Sequence, residues 1–264
     1  MKTKKWYLIF VAISIGVLLS NCKSEQSEST TDLIVVEQID SVFGDNGYNN
    51  YEWAAFSVDV PVNGPKTLVD SVMVLINREV YKMCEYCIEF VDSPDEYVAY
   101  CEEDIYTDDG KLLLKHYLDR YRASIADSLW NTFGLTLKME AQTAKYVTYG
   151  MEFFHCGASC GSEKYYYTFD KNDGHIVKEI ITNDNLVKFF KDYPRYVSKN
   201  EYSWRFSPED TCANTCFGLL QENFSLAIVG LYNHFFTVDV PLSQILPYMS
   251  LETQELVERQ SKGK

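Results

Sequence analysis

The chain has few positively charged residues for its size. It carries 24 Lys and Arg against 38 Asp and Glu, which gives a formal net charge of −14. Such a field repels nucleic acid and anionic lipid and favours cationic partners. We therefore exclude nucleic-acid binding, although an acidic surface also serves solubility alone.

Long apolar runs are scarce as well. Residues 6–19 form such a run, but it is too short to span a bilayer comfortably, and it follows the basic start of the chain, residues 1–5. Ser20, Asn21 and Cys22 come next, an arrangement typical of a bacterial lipoprotein signal peptide. We expect residues 1–21 to be removed and Cys22 to be acylated, with palmitate among the attached fatty acids. An uncleaved membrane anchor is the alternative.

Cleavage before Cys22 makes the chain more acidic and leaves a polar segment at the new N-terminus. It lowers the count of Lys and Arg from 24 to 21 against 38 acids, so the formal net charge goes from −14 to −17. Residues 23–32 are rich in Ser, Thr and Glu and hold no apolar residue. We predict that residues 22–32 are a flexible tether, and that the lipid holds the protein on a membrane of the cell envelope.

Internal repeats and long low-complexity tracts are also missing. With 46% apolar and 15% aromatic residues, the chain has enough material for a sizeable core and is not a disordered protein. We predict an N-terminal half-domain with two helices over residues 33–130 and an α+β half-domain over residues 131–258. Residues 259–264 are predicted to be a polar tail.

Alternating apolar and polar residues predict strands over much of the chain. The predicted strands are residues 33–43, 51–60, 135–142, 144–154, 165–169, 176–181, 224–229 and 235–240. The first two are expected to pair as a hairpin. Residues 171–174, Lys-Asn-Asp-Gly, tolerate positive φ and are predicted to turn the chain into the strand at 176–181.

Apolar residues at helical spacing predict the helices. They recur every three or four positions in residues 66–83 and 111–130, and short helices are predicted at 185–190 and 241–249. Because the helices are segregated from a mostly antiparallel set of strands, we predict an α+β fold with one mostly antiparallel sheet and two main helices.

Several of these segments together resemble one known domain family. They are Tyr165–Asp170, the Asp173-Gly174 turn, the helix at 185–190, and the closing block 224–248. They are similar to the RsiV-like domain of unknown function, which occurs in the extracellular part of the anti-sigma factor RsiV and before the catalytic part of the peptidoglycan deacetylase PdaC. The likeness covers residues 149–248, with a looser match of residues 51–130 to the family's preceding half-domain.

The resemblance implies an envelope domain that binds a peptidoglycan-related glycan or a cationic, lysozyme-like protein. The lipoprotein that carries it resembles those of Bacteroidetes. The loop Cys156–Gly161 keeps the small residues of the family's Gly-Gly-Ala-His-Gly loop but lacks its His. Neither sigma-factor signalling nor deacetylation follows from the likeness. We therefore expect a binding protein that is not an enzyme and needs no cofactor or metal.

Seven cysteines remain once Cys22 is acylated, and an odd number cannot pair completely within one chain. They are Cys84, Cys87, Cys101, Cys156, Cys160, Cys212 and Cys216. With one left free, 105 pairings are open. In an oxidising envelope we expect the two C-x-x-x-C segments to face each other as two disulfides, and Cys101 to pair with Cys84 or Cys87.

The same cysteines allow two other chemistries. Paired cysteines at these spacings also suit tetrahedral zinc, which is the alternative for a Cys-rich protein. Thiol exchange at Cys84 and Cys87 is disfavoured, because redox motifs sit at helix N-termini and this one ends a predicted helix.

Residues 157–161, Gly-Ala-Ser-Cys-Gly, match the G-x-S-x-G nucleophile elbow of serine hydrolases. An esterase-like enzyme using Ser159, with His234 as its base, is the rival hypothesis. The elbow requires a helix after the serine, and the sequence predicts a strand there, so we expect the match to be coincidental.

Acidic and aromatic clusters complete the candidate sites. The acids in residues 102–109 are read as helix capping, and Asp170, Asn172 and Asp173 as a turn, rather than as calcium ligands. Exposed aromatic residues are the candidate binding surface, although alternation puts about half of them in the core. These candidates are Tyr165, Tyr166, Tyr202 and Trp204.

Overall fold

A computed structural model describes residues 33–43, 54–88, 115, 132–156, 160–196, 216–229 and 235–261. The chain divides between Asp32 and Leu33, and the unit considered below is Leu33–Lys264. The predicted signal peptide and tether lie outside the described residues, as does all of the predicted helix at 111–130 except Lys115.

Five strands form the first sheet, in the order β1-β2-β3-β4-β5. They are β1 (Val36–Phe43), β2 (Ala54–Pro61), β3 (Thr132–Gln142), β4 (Tyr146–Cys156) and β5 (Cys160–Asp170). The hairpin-like pairing of β1 with β2 is confirmed, and β3, β4 and β5 are antiparallel neighbours. Only β2 and β3 pair in parallel among these strands, so the sheet is mixed. Parallel neighbours need a crossover, which the intervening chain provides.

Helix α1 (Lys66–Ile88) is part of that crossover and packs on one face of the first sheet. This confirms the helix predicted at 66–83, which runs five residues further. Leu68, Val72 and Ile76 are fully buried, since apolar residues spaced by four lie on one side of a helix. Each such side chain contributes about 1.5–3 kcal/mol on burial.

A second sheet has three antiparallel strands in the order β6-β7-β8. They are β6 (Phe217–Leu219), β7 (Asn223–Val229) and β8 (Phe235–Pro241). The last two confirm the predicted late strands, whereas β6 was not predicted. The predicted single sheet is therefore corrected to two sheets, and the α+β class is confirmed.

The helix predicted at 185–190 is confirmed as α2 (Asn183–Asp192). The Thr182 side chain accepts a hydrogen bond from the Asn185 amide, a typical N-cap. Its face with Leu186 and Phe189 is buried in a second core, together with residues of the second sheet. A 3₁₀ turn (Pro194–Tyr196) follows.

The strand predicted at 176–181 is wrong. Ile176 makes one isolated bridge to Phe169, and the chain then leaves the sheet. Val177, Ile180 and Ile181 are buried in the second core. The apolar residues of this stretch come in adjacent pairs, which does not match the alternation of a half-buried strand.

The C-terminal helix differs from its prediction. The chain forms α3 (Leu242–Ile245) and a 3₁₀ turn (Leu246–Tyr248), breaks, and continues as α4 (Leu251–Ser261). The Ser250 hydroxyl accepts from the Thr253 amide and so begins the new helix. Helix α4 enters the segment predicted as a polar tail at 259–264. Within the described part of the chain, no helix is long and apolar enough to cross a membrane.

The second sheet packs against the face of the first sheet opposite α1, called the outer face below. Tyr166 of β5 lies against Gly218 of β6, and its hydroxyl bonds the Ser225 hydroxyl at 2.9 Å. The Thr148 hydroxyl donates to the Leu219 carbonyl at 2.7 Å. These contacts cover the β4–β5 side of the outer face.

Candidate ligand-binding cleft

The described residues leave the outer face uncovered over β2, β3 and part of β4, and a cleft lies there beside the second sheet. Pairing aligns Ala55, Gly134, Phe154 and Ser162 in one row across four strands. Small residues flank the Phe154 ring in that row, which leaves space that a larger side chain would fill.

The cleft has a volume of about 360 Å³, within the size range of small-molecule sites. Phe154 and Phe235 supply aromatic surface, and the Ser57 and Thr136 hydroxyls and the Glu152 carboxylate supply polar groups. The described residues that line it are Ala55, Phe56, Ser57, Gly134, Leu135, Thr136, Glu152, Phe153, Phe154, Ser162 and Phe235. Apolar walls with a few placed polar groups are typical of a ligand site.

Hydrogen bonds orient the polar side of the cleft. The Ser57 hydroxyl donates to the Asp40 carboxylate at 2.7 Å, and the Gln38 amide donates to both Asp40 oxygens at 2.9 Å. The hydrogen bonds from Gln38 and Ser57 hold the pKa of Asp40 below its usual value, with Lys138 adding a smaller effect. Ser57 is therefore held by a carboxylate that stays charged near neutral pH.

A charged cluster lies next to the cleft. The Lys164 ammonium donates to Glu140 at 2.7 Å and to Glu152 at 2.9 Å. A Cβ at Gly150 would come within 2.0 Å of a Glu140 carboxylate oxygen, so glycine there makes room for this acid. The ammonium also lies 5.1 Å from the Tyr166 ring centre and 6.0 Å from that of Phe235.

This cluster holds Lys164 in its charged form. The Lys164 side chain is 10% exposed, and this burial lowers its pKa. The hydrogen bonds to Glu140 and Glu152 raise the pKa by more than burial lowers it, so the pKa of Lys164 lies above the usual lysine range. Two carboxylates and one ammonium leave a net charge of −1 in the cluster. The cleft can therefore offer aromatic packing, hydroxyl groups and a carboxylate acceptor to a ligand.

The structure separates the predicted binding aromatics. Tyr165 faces the α1 side of the sheet, is half-buried, and donates its hydroxyl to Glu163. Tyr166 is 2% exposed in the contact with the second sheet, so its ring does not reach a partner. Tyr202 and Trp204 lie outside the described residues.

Only part of the cysteine prediction falls on described side chains. Cys160 is exposed and Cys216 is buried. The backbone of Cys156 lies opposite Cys160 at the β4–β5 end. That the cysteines form disulfides, which of them pair, and that the bonds staple the fold remain predictions. The side chains of Cys84, Cys87 and Cys156, and all of Cys22, Cys101 and Cys212, lie outside what the structure describes.

The other predicted chemistries meet different outcomes. Ser159 and His234 lie outside the described residues, but β5 begins at Cys160, so a strand follows the serine where a nucleophile elbow needs a helix. Asp170, Asp173 and His175 do come together, as a capped turn. The Asp170 carboxylate accepts from the Asn172 amide, and Asp173 accepts from the His175 amide.

Sequence reasoning missed every residue of the cleft. Ser57, Glu152 and Phe235 come from distant parts of the chain and meet only through strand pairing and sheet packing. The available signal was the small or polar residue at the outward positions of β2 and β3, such as Ala55 and Thr136. That pattern marks an open sheet face, although it does not show where a cleft forms.

No family model matches the chain, and no curated protein matches its sequence. Two solved structures are similar in fold. One is a DUF3298 family protein from Pseudomonas aeruginosa PAO1, with 9% identity and a TM-score of 0.47, covering 85% of this chain and 98% of that chain. The other is a DUF3298 family member from Bacteroides fragilis NCTC 9343, with 13% identity and a TM-score of 0.48, covering 89% of this chain and 100% of that chain. The RsiV-like resemblance remains a prediction, and likeness at this level says nothing about what the chain binds.

Proposed function

We propose that this chain is a lipid-anchored protein of the cell envelope that binds a peptidoglycan-related glycan without catalysing a reaction. The cleft on the outer face is the observation that supports this proposal. A sugar ring has an apolar face of C–H groups and an edge of hydroxyl donors. Phe154 and Phe235 suit the face, and the Glu152 carboxylate and the Ser57 hydroxyl suit the edge.

The envelope location rests on the N-terminal signal pattern and on the cysteines. Disulfides persist in oxidising compartments and are rare in the cytosol. The disulfides predicted among the seven cysteines would therefore fit an exported chain. Acylation of Cys22 would then keep the domain on the membrane.

Titration with soluble glycan fragments tests the proposal. Calorimetry with peptidoglycan-derived oligosaccharides should show saturable binding, which Phe154→Ala and Phe235→Ala weaken. Leu251→Ala is the matched control, because Leu251 is 78% exposed on α4 and does not line the cleft. If no fragment binds the folded protein, or if the control weakens binding equally, the glycan proposal fails.

A cationic, lysozyme-like protein is the second candidate, favoured by the formal net charge of −14. Charge alone gives steering and weak, salt-screened contacts. A specific complex must therefore survive about 0.3 M salt, where the Debye length is well below 10 Å. Binding that vanishes with salt alike for lysozyme and for unrelated basic proteins would reject this candidate.

A further inference from the structure

The cleft presents one kind of charge to a ligand. Glu152 carries the only formal charge among the described residues that line it, and its side chain is 45% exposed. One of its oxygens accepts from Lys164 at 2.9 Å. A carboxylate can accept several hydrogen bonds, so Glu152 retains acceptor capacity toward the cleft.

Lys164 cannot turn to serve an anionic ligand. Its ammonium donates to Glu140 and Glu152 and lies close to the Tyr166 ring, and the residue does not line the cleft. Moving the ammonium would leave the Glu140 carboxylate without this partner, beside the backbone of Gly150. An anionic ligand in the cleft would therefore be repelled by the Glu152 carboxylate, and no cation among the described lining residues would offset this repulsion.

The rest of the described outer face does not reverse this balance. Asp40 lies on the same row as Glu152, three strands away, about 14 Å at the usual strand spacing. Lys138 acts on Asp40 and helps to lower its pKa. Asp40, Asp59, Glu140 and Glu152 against Lys138 and Lys164 leave a net charge of −2.

We propose that the cleft selects glycans with free amino groups, an ammonium pairing with Glu152 while the sugar ring packs on Phe154. This inference rests on the proposed glycan-binding function and specifies its ligand class. An ammonium forms a charge-assisted hydrogen bond with the carboxylate, which is about twice as strong as a neutral one. An N-acetylated sugar offers only an amide N–H, and an acidic sugar is repelled. Lys164 is a positioning residue, because it holds Glu152 at the cleft wall.

Two oligosaccharides of equal length test the inference. Oligoglucosamine and oligo-N-acetylglucosamine are titrated into the full-length chain in detergent, at about pH 6 and 0.15 M salt. The wild type should bind oligoglucosamine about tenfold more tightly, as a difference of about 1.4 kcal/mol gives. Glu152→Gln should abolish the preference, so that the two oligomers bind with similar affinity, and circular dichroism shows whether the variant is folded.

Two matched variants separate the carboxylate from general charge. Glu179→Gln removes an exposed acid that does not line the cleft and should keep the full preference. Phe154→Ala should weaken both oligomers alike, because it removes ring packing and no charge. Retention of the preference in Glu152→Gln would overturn the inference.

The remaining outcomes distinguish the two proposals. Equal binding of both oligomers by the wild type overturns the amino-sugar inference and leaves the glycan proposal standing. Binding of neither oligomer, nor of any other peptidoglycan fragment, refutes both. Oligoglucosamine binding that disappears at about 0.3 M salt together with polylysine binding shows only an acidic surface, and so also overturns the inference.

Discussion

Replacing Gly218 with alanine should loosen the contact between the two sheets. A Cβ at this position would lie 2.6 Å and 2.7 Å from two atoms of the Tyr166 ring, closer than such atoms approach in proteins. The ring cannot slide away freely, because its hydroxyl bonds Ser225, and both residues are buried. The new methyl group must therefore move the ring or separate β6 from β5.

The expected cost follows from three contributions. Overpacking costs about 1–3 kcal/mol, and weakening the Tyr166–Ser225 hydrogen bond costs about 1 kcal/mol. The smaller entropy of alanine in the unfolded chain returns about 0.4–1 kcal/mol. We expect Gly218→Ala to lower the free energy of unfolding by about 2 kcal/mol, seen as a lower urea midpoint at unchanged slope.

A double-mutant cycle gives the decisive control. In a Tyr166→Leu background the ring is gone, so alanine at position 218 should cost little, with a coupling of about 1 kcal/mol or more. Urea unfolding followed by circular dichroism measures all four proteins. A cost of less than about 0.5 kcal/mol for the single change, or an equal cost in both backgrounds, would refute this account of the sheet contact.

Three further predictions concern pH, capping and thiols. His175 bonds Glu252 and Asp173, and the Glu252 bond is the main reason its pKa is raised, against an opposing effect of burial. A group whose pKa is raised on folding stabilises the folded protein fully below its unfolded pKa, about 6.5 for histidine, and this stabilisation is lost as the pH rises through the folded pKa. The wild type should therefore be more stable than His175→Gln by a larger margin at pH 5.5 than at pH 8.5. An equal difference at both pH values would contradict this. Thr182→Ala should lower the free energy of unfolding by about 1 kcal/mol through loss of the bond from Asn185, whereas Thr182→Ser should retain it. Thiol counting on the denatured, unreduced mature chain should find about one free cysteine, and five or more would disprove the disulfide prediction.

Local patterns predicted most of the described elements correctly. Alternation located β1 to β5, and helical spacing located α1, because each element must bury one face whatever its partner is. The turn that contains Gly174 was also predicted. Gly174 has a φ of 79°, a conformation that glycine adopts more readily than other residues. A Cβ there would lie 2.6 Å from the Thr67 carbonyl oxygen, so the glycine also serves the packing of the turn on α1.

Local patterns failed where several partners compete for the same apolar residues. Ile180 and Ile181 were predicted to continue the sheet, yet they are buried in the second core. Helix α4 was overlooked because its first residue, Leu251, is exposed and its apolar stripe is thin, so the Ser250 cap was its main signal.

The sequence by itself determined the two faces of the first sheet, since alternation assigns each side chain to one face or the other. Only the tertiary structure decided which part of the outer face is covered. Parallel pairing of β2 with β3 joins segments about seventy residues apart, and packing of β6 buries Tyr166 while leaving Phe154 at the cleft. Such contacts depend on long-range register and loop closure, which no local window of sequence contains.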